Sequence, residues 1–154
     1  MEQLYPIRHI LLTDDDKDHA ILFSRVIKME YPHVFISHVA DGDQLIHYLH
    51  LHQVDLLFLD LNMPCKSGYE CLLEIRNDPS LHDLPIIVYS GSAHLSDIQK
   101  SFIHRADFYL VKPFIIEHLK TALRKILSVN WKDNPPLKHH YFINNSFVPY
   151  IATA

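Results

Sequence analysis

The stretch VDLLFLD, residues 54–60, is apolar at every position from Leu56 to Leu59. A strand with one wet face alternates apolar and polar residues, because successive side chains point to opposite sides. An unbroken apolar run of this length instead predicts a central strand of a parallel sheet, covered on both faces. It ends in Asp60, a charged residue at the edge of an interior.

Outward from this strand, short apolar runs alternate with longer amphipathic ones. IRHILLT (7–13), VFISHVA (34–40), LPIIVYS (84–90) and DFYLV (107–111) read as four more strands. Between the first two, Ala20, Phe23 and Ile27 recur at helical spacing from about Asp16 to Tyr31, with Asp16 as N-cap and Pro32 closing the segment. DGDQLIHYLH (41–50) opens with Asp41 and Gln44 at capping-box spacing, and Ser67 with Glu70 repeats that spacing before a helix to about Asn77. A fourth helix, about 94–104, is expected to turn Leu95, Ile98 and Phe102 inward. A fifth, 113–127, is expected to carry Ile116, Leu119, Leu123 and Ile126 on one face. Five strand–helix alternations predict an α/β fold: a five-stranded parallel sheet, doubly wound.

Such sheets place ligands beyond the carboxyl ends of their strands, where strand order reverses. Asp14 and Asp15 stand at one strand end and Asp60 at another, Ser90 ends the fourth strand, and Lys112 follows the fifth. Converging carboxylates raise one another's pKa unless a cation neutralises them. A hard divalent ion with oxygen ligands suits that role, Mg²⁺ or Mn²⁺ above all. A lysine and a hydroxyl beside it complete a site for a phosphoryl group, and a central aspartate can act as nucleophile on phosphorus.

LLTDDD, LLFLDLNMPCKSG, IIVYSGS and FYLVKPF, in this order, resemble the receiver domain of two-component response regulators, a flavodoxin-like fold, over about residues 7–128. The resemblance implies that Asp60 is the phosphoacceptor. Asp15 ligates Mg²⁺ directly, Asp14 assists through a water, and the backbone carbonyl of Asn62 is a further ligand. It implies that Lys112 pairs with Asp60, that Ser90 hydrogen-bonds the phosphoryl group, and that Tyr109 is the aromatic switch turning inward when Ser90 moves. Asn62 and Ser92 match positions that tune dephosphorylation, and Lys112–Pro113 matches a peptide bond that is usually cis. Arg105 departs from the pattern, standing where glycine usually precedes Ala106. NDPSLHDLPIIVYSGS, SDIQKSF and Trp131 further resemble stand-alone receivers that serve phytochrome-type sensor kinases.

The expected function is that of a single-domain response regulator. It takes a phosphoryl group from a sensor histidine kinase or phosphotransfer protein and signals to a downstream protein target or along a relay. It is not an enzyme beyond catalysing its own phosphorylation and slow dephosphorylation. The alternative is a receiver-like binding module that is never phosphorylated. A net charge of −4 without a Lys/Arg stripe argues against nucleic acid. No apolar run is long enough for a transmembrane helix, and MEQLYPIRH lacks a signal-peptide core, so the setting is expected to be cytoplasmic. With 3 glycines there is no phosphate-cradling Gly-rich loop for a nucleotide or flavin. The histidines at 47, 50 and 52 lack the partners of a zinc site. Residues 129–154 are expected to form a C-terminal extension without an output domain. Tyr141, Phe142, Phe147 and Tyr150 make it too aromatic for a free tail, so it straps over the domain or packs on a second subunit as a homodimer.

Overall fold

The computed structural model describes residues 7–151. Strands β1 (His9–Thr13), β2 (Phe35–Val39), β3 (Leu56–Leu59), β4 (Ile86–Ser90) and β5 (Phe108–Val111) alternate with helices α1 (Lys17–Glu30), α2 (Gly42–Leu51), α3 (Gly68–Asn77), α4 (Leu95–Ile103) and α5 (Ile116–Ile126). The first five strands are parallel, in the order β2-β1-β3-β4-β5. Because β1 has β2 on one side and β3 on the other, chain order reverses there, and a crevice opens at the ends of β1 and β3.

β3 is buried at every position, as its apolar run predicts. Alternation along β1 divides the interior. Ile10 and Leu12 join Phe23, Phe58, Phe108 and Leu123 beneath α1 and α5, while Leu11 joins Leu45, Leu57, Leu72 and Ile98 beneath α2, α3 and α4. The caps form as expected. Asp16 accepts from the N–H groups of Asp18 and His19, Asp41 from Gln44, and Ser67 from Glu70.

Three expectations are corrected. The sheet has seven strands rather than five, because the chain beyond α5 adds β6 (His140–Ile143) parallel to β5 and β7 (Ser146–Pro149) antiparallel to β6. Asn144 and Asn145 link them, both at positive φ, the backbone of a tight two-residue hairpin. Trp131, Leu137 and Phe142 are buried in the main core, so the extension is part of the domain. Leu95 and Ile116 are 64% and 41% exposed. Each is the first residue of its helix, ahead of the stripe that meets the sheet. Lys112–Pro113 is trans, since no peptide bond among the described residues is cis. The trans form of an X–Pro bond is the more stable by about 0.5–1 kcal/mol.

Arg105 lies in the left-handed region at φ 68°. It closes α4 as a Schellman motif, with Ala106 N–H donating to the Ser101 carbonyl and Arg105 N–H to that of Phe102. The turn that favours glycine is present, and arginine occupies it.

Candidate functional site

β1 and β3 deliver Asp14 and Asp60 to one crevice, and a residue that sequence reasoning passed over ties them together. Thr13 Oγ1 donates to the Phe58 carbonyl at 3.2 Å and accepts the Asp60 N–H at 2.9 Å. Its only sequence signal is a hydroxyl at the last position of a buried strand, just before the acidic pair. Gly68 also sets the geometry. A Cβ there would lie 2.6 Å from the Leu61 Cα and collide with the Asp60 carbonyl oxygen, so only glycine lets α3 start this close to the acceptor.

Asp60 is 3% exposed. Its Oδ1 accepts the Asn62 N–H at 3.0 Å, and its Oδ2 accepts from Lys112 Nζ at 3.2 Å. Asp14 is wholly buried, and its Oδ1 accepts the Asp16 N–H at 2.9 Å. Its Oδ2 lies 2.8 Å from Lys112 Nζ, an ion-pair distance, yet without hydrogen-bond alignment, so a buried lone pair is left unsatisfied. Asp15 is exposed at the mouth. Carboxylate oxygens of Asp14, Asp15 and Asp60 lie within 4.8 Å of one another, and this is the one such cluster among the described residues.

Burial pushes the Asp60 carboxyl above its ordinary value. The Asn62 N–H and Lys112 oppose this, and the Asp14 charge adds to it. Burial pulls the Lys112 ammonium down, but Asp14 and Asp60 outweigh it, so Lys112 stays above the ordinary lysine value and remains charged. Lys112 Nζ also sits 5.3 Å from the centre of the Tyr89 ring. Three carboxylates against one ammonium leave two negative charges uncompensated. An all-oxygen donor set, a buried unpaired lone pair and that charge deficit fit a hard divalent cation.

Ser90 and Tyr109 are linked through Ser92. Ser92 N–H donates to Ser90 Oγ at 3.2 Å, and Tyr109 Oη donates to the Ser92 carbonyl at 2.9 Å. Tyr109 is wholly buried, so its ring is already turned inward. Asn62 lies in the loop after β3, with its N–H on Asp60, and Ser92 lies in the loop after β4. The histidines at 47, 50 and 52 join no metal cluster, and His50 Nε2 pairs with Asp78 at 2.7 Å.

Three carboxylates and a lysine converge at a strand-order reversal, with Ser90 at the end of the neighbouring strand, and the comparisons give the class of domain to which this arrangement belongs. The profile described as response regulator receiver domain matches residues 10–124, and the chain belongs to that family. It is 36% identical over 118 residues to the transcriptional regulatory protein CpxR of Klebsiella pneumoniae, covering 77% of this chain and 48% of that one. It is 28% identical over 134 residues to the "Probable methanogenesis regulatory protein FilR2" of Methanothrix harundinacea, covering 82% and 86%. Against CpxR and several other curated relatives the chain spans about half their length. Among solved structures, the phosphorylated cyanobacterial phytochrome response regulator RcpA is similar with a TM-score of 0.75 at 28% identity, over 85% of this chain and 99% of that one. The Mn²⁺-bound response regulator Rcp1 is similar with a TM-score of 0.72 at 28% identity, over 82% and 96%. Among the described residues, no helix is long and apolar enough to cross a membrane.

Proposed function

We propose that this receiver domain accepts a phosphoryl group on Asp60 and signals through the resulting acyl phosphate. The observation that carries this is a buried Asp60 held by Lys112 inside a cradle of carboxylates no more than 4.8 Å apart. The donor is the phosphohistidine of a sensor histidine kinase or a phosphotransfer protein. An Asp60 carboxylate oxygen attacks phosphorus, the P–N bond to the imidazole breaks, and its electron pair stays on the ring nitrogen. Asp60 has one oxygen on the Asn62 N–H and the other on Lys112, so the carboxylate is fixed before the donor arrives. As negative charge grows on the phosphoryl oxygens, Lys112 leaves the Asp60 oxygen for them, and the Ser90 hydroxyl donates to another. A Mg²⁺ or Mn²⁺ ion would be held by Asp14, Asp15, Asp60 and the Asn62 carbonyl, and when bound supplies neutralisation of the phosphoryl charge.

The phosphorylated state then shifts a two-state equilibrium of Ser90 at the end of β4 and of the loop that carries Ser92, and a protein target or relay partner reads it. Incubation with acetyl phosphate and Mg²⁺ is expected to add one phosphoryl group by intact mass, with none in Asp60→Asn. A parent chain that gains nothing from acetyl phosphate or from any histidine kinase would leave the phosphorylation-independent binding module standing.

A further inference from the structure

Ser92 is a hub. Its N–H donates to Ser90 Oγ, its carbonyl accepts from Tyr109 Oη, and its hydroxyl oxygen accepts the His94 N–H at 3.2 Å. Its one hydroxyl proton goes elsewhere: Ser92 Oγ donates to Asp97 Oδ2 at 2.5 Å. Asp97 is held in turn from α3, where Tyr69 Oη donates to Asp97 Oδ1 at 2.9 Å. Tyr69 is fixed by Lys100 Nζ, 4.2 Å from the centre of its ring, and by the His104 ring at 5.9 Å. The Ser92 and Tyr69 hydroxyls hold the Asp97 carboxyl below the usual range, against partial burial. An ionised carboxylate only accepts, so both hydroxyls must donate to it. A continuous chain of hydrogen bonds thus runs from Ser90 at the end of β4, through the loop after it, to Asp97 of α4 and Tyr69 of α3.

We propose that Asp97 is a positioning residue that sets the lifetime of the acyl phosphate. It captures the Ser92 hydroxyl proton and keeps it from the water that attacks phosphorus. This rests on the acyl-phosphate reading above. In that hydrolysis the water oxygen bonds to phosphorus, and the bond from phosphorus to the Asp60 oxygen breaks. Its electron pair returns to the carboxylate, inorganic phosphate leaves, and one water proton passes to solvent. Ser92 stands two residues beyond Ser90, with its backbone against the Ser90 hydroxyl. On this proposal a Ser92 hydroxyl released from Asp97 turns to orient the water, and one held on Asp97 does not. Tyr69 strengthens the capture by pinning the far side of Asp97.

The test follows the phosphorylated full chain, loaded with acetyl phosphate and Mg²⁺ and then freed of donor, by the decay of its intact-mass signal. Asp97→Ala is expected to shorten the half-life about three- to tenfold, the scale of one hydrogen bond. In a Ser92→Ala background the same change is expected to do nothing, because the hydroxyl it would release is gone. Tyr69→Phe is expected to shorten the half-life by a smaller factor, and Asp97→Asn to fall between the parent and Asp97→Ala. A half-life in Asp97→Ala equal to the parent's overturns the proposal, and so does an equal acceleration with and without Ser92, which a merely structural role would give. If Asp97→Ala fails to fold, the isosteric Asp97→Asn decides, and an unchanged lifetime there overturns it. A parent chain that never takes up phosphorus sinks the acyl-phosphate reading instead, so the two failures are distinguishable.

Discussion

Among the described residues, a cation meets buried carboxylate at each rim of the sheet. At the rim opposite the crevice, Asp107 precedes β5 and pairs with Arg76 of α3 at 3.1 Å. Asp107 Oδ2 also accepts the Ile86 N–H at 2.8 Å. Three more Arg76 N–H groups donate to the carbonyls of Arg105, His82 and Leu84, at 2.9, 3.0 and 2.6 Å. At the crevice, Lys112 stands between two carboxylates, a third waits at the mouth, and the Asp14 Oδ2 lone pair has no aligned partner. Burial is the largest influence on Asp60 and Asp107 alike, and it pushes both upward. Burial therefore does not separate them. Charge balance does. One carboxylate facing one guanidinium is a strut, while one lysine facing three carboxylates leaves charge over and is a site able to accept something more.

The contrast is broken most easily at the strut. Removing one partner of a buried, hydrogen-bonded ion pair leaves the other charged and unpaired, at a cost of about 3–5 kcal/mol. Arg76→Ala is expected to lose stability on that scale in urea denaturation, since it strands Asp107 and three backbone carbonyls at once. Asp60→Asn is expected to be neutral, or to gain up to about 1 kcal/mol, because it removes one of three crowded charges and abolishes phosphoryl uptake. Equal losses from both variants would mean that the two rims are not physically different.

Magnesium sharpens the comparison from the other side. A ligand that binds only the folded chain stabilises it by about 2.7 kcal/mol at a hundredfold excess over its dissociation constant. Added Mg²⁺ is expected to raise the melting temperature of the parent, to leave Asp14→Asn/Asp15→Asn unmoved, and to shift Arg76→Met by the same increment as the parent. A magnesium effect that survives loss of both aspartates would place the ion elsewhere.

Most of the crevice was legible in sequence because its parts are local. An acidic pair following an apolar run, a strand ending in aspartate and a lysine just past a strand each declare a position at the carboxyl rim. The strut was not legible. Arg76 and Asp107 are 31 residues apart on a helix and a strand end, and nothing local marks either as buried. The additional strands escaped for a related reason. HYFI alternates too weakly for a confident period, and the signal that could have found the hairpin, Asn144–Asn145, is a turn pair more often written with glycine. Phe142 is buried because β6 pairs with β5 and covers what would otherwise be an open sheet edge, and Trp131 because it packs edge-on to the Phe108 ring, long-range needs that no window of sequence contains.

The smallest test lies at the strut, where Arg105 carries backbone strain in support of Arg76. A left-handed residue with a Cβ costs about 1 kcal/mol relative to glycine at the same place, and glycine returns part of that through its freer unfolded chain. Arg105→Gly relieves the strain at φ 68° and gives up one side-chain bond, Nη2 to the Arg76 carbonyl at 3.2 Å. The bond that matters more to the strut, from Arg76 Nε, ends on the Arg105 backbone carbonyl and survives the substitution. The net expectation is a gain of about 0.5 kcal/mol in urea denaturation, with acyl-phosphate half-life unmoved, because the Schellman turn is retained and the crevice lies at the other rim. A loss above about 1 kcal/mol would show that the Arg105 side chain, and not only its carbonyl, belongs to the strut.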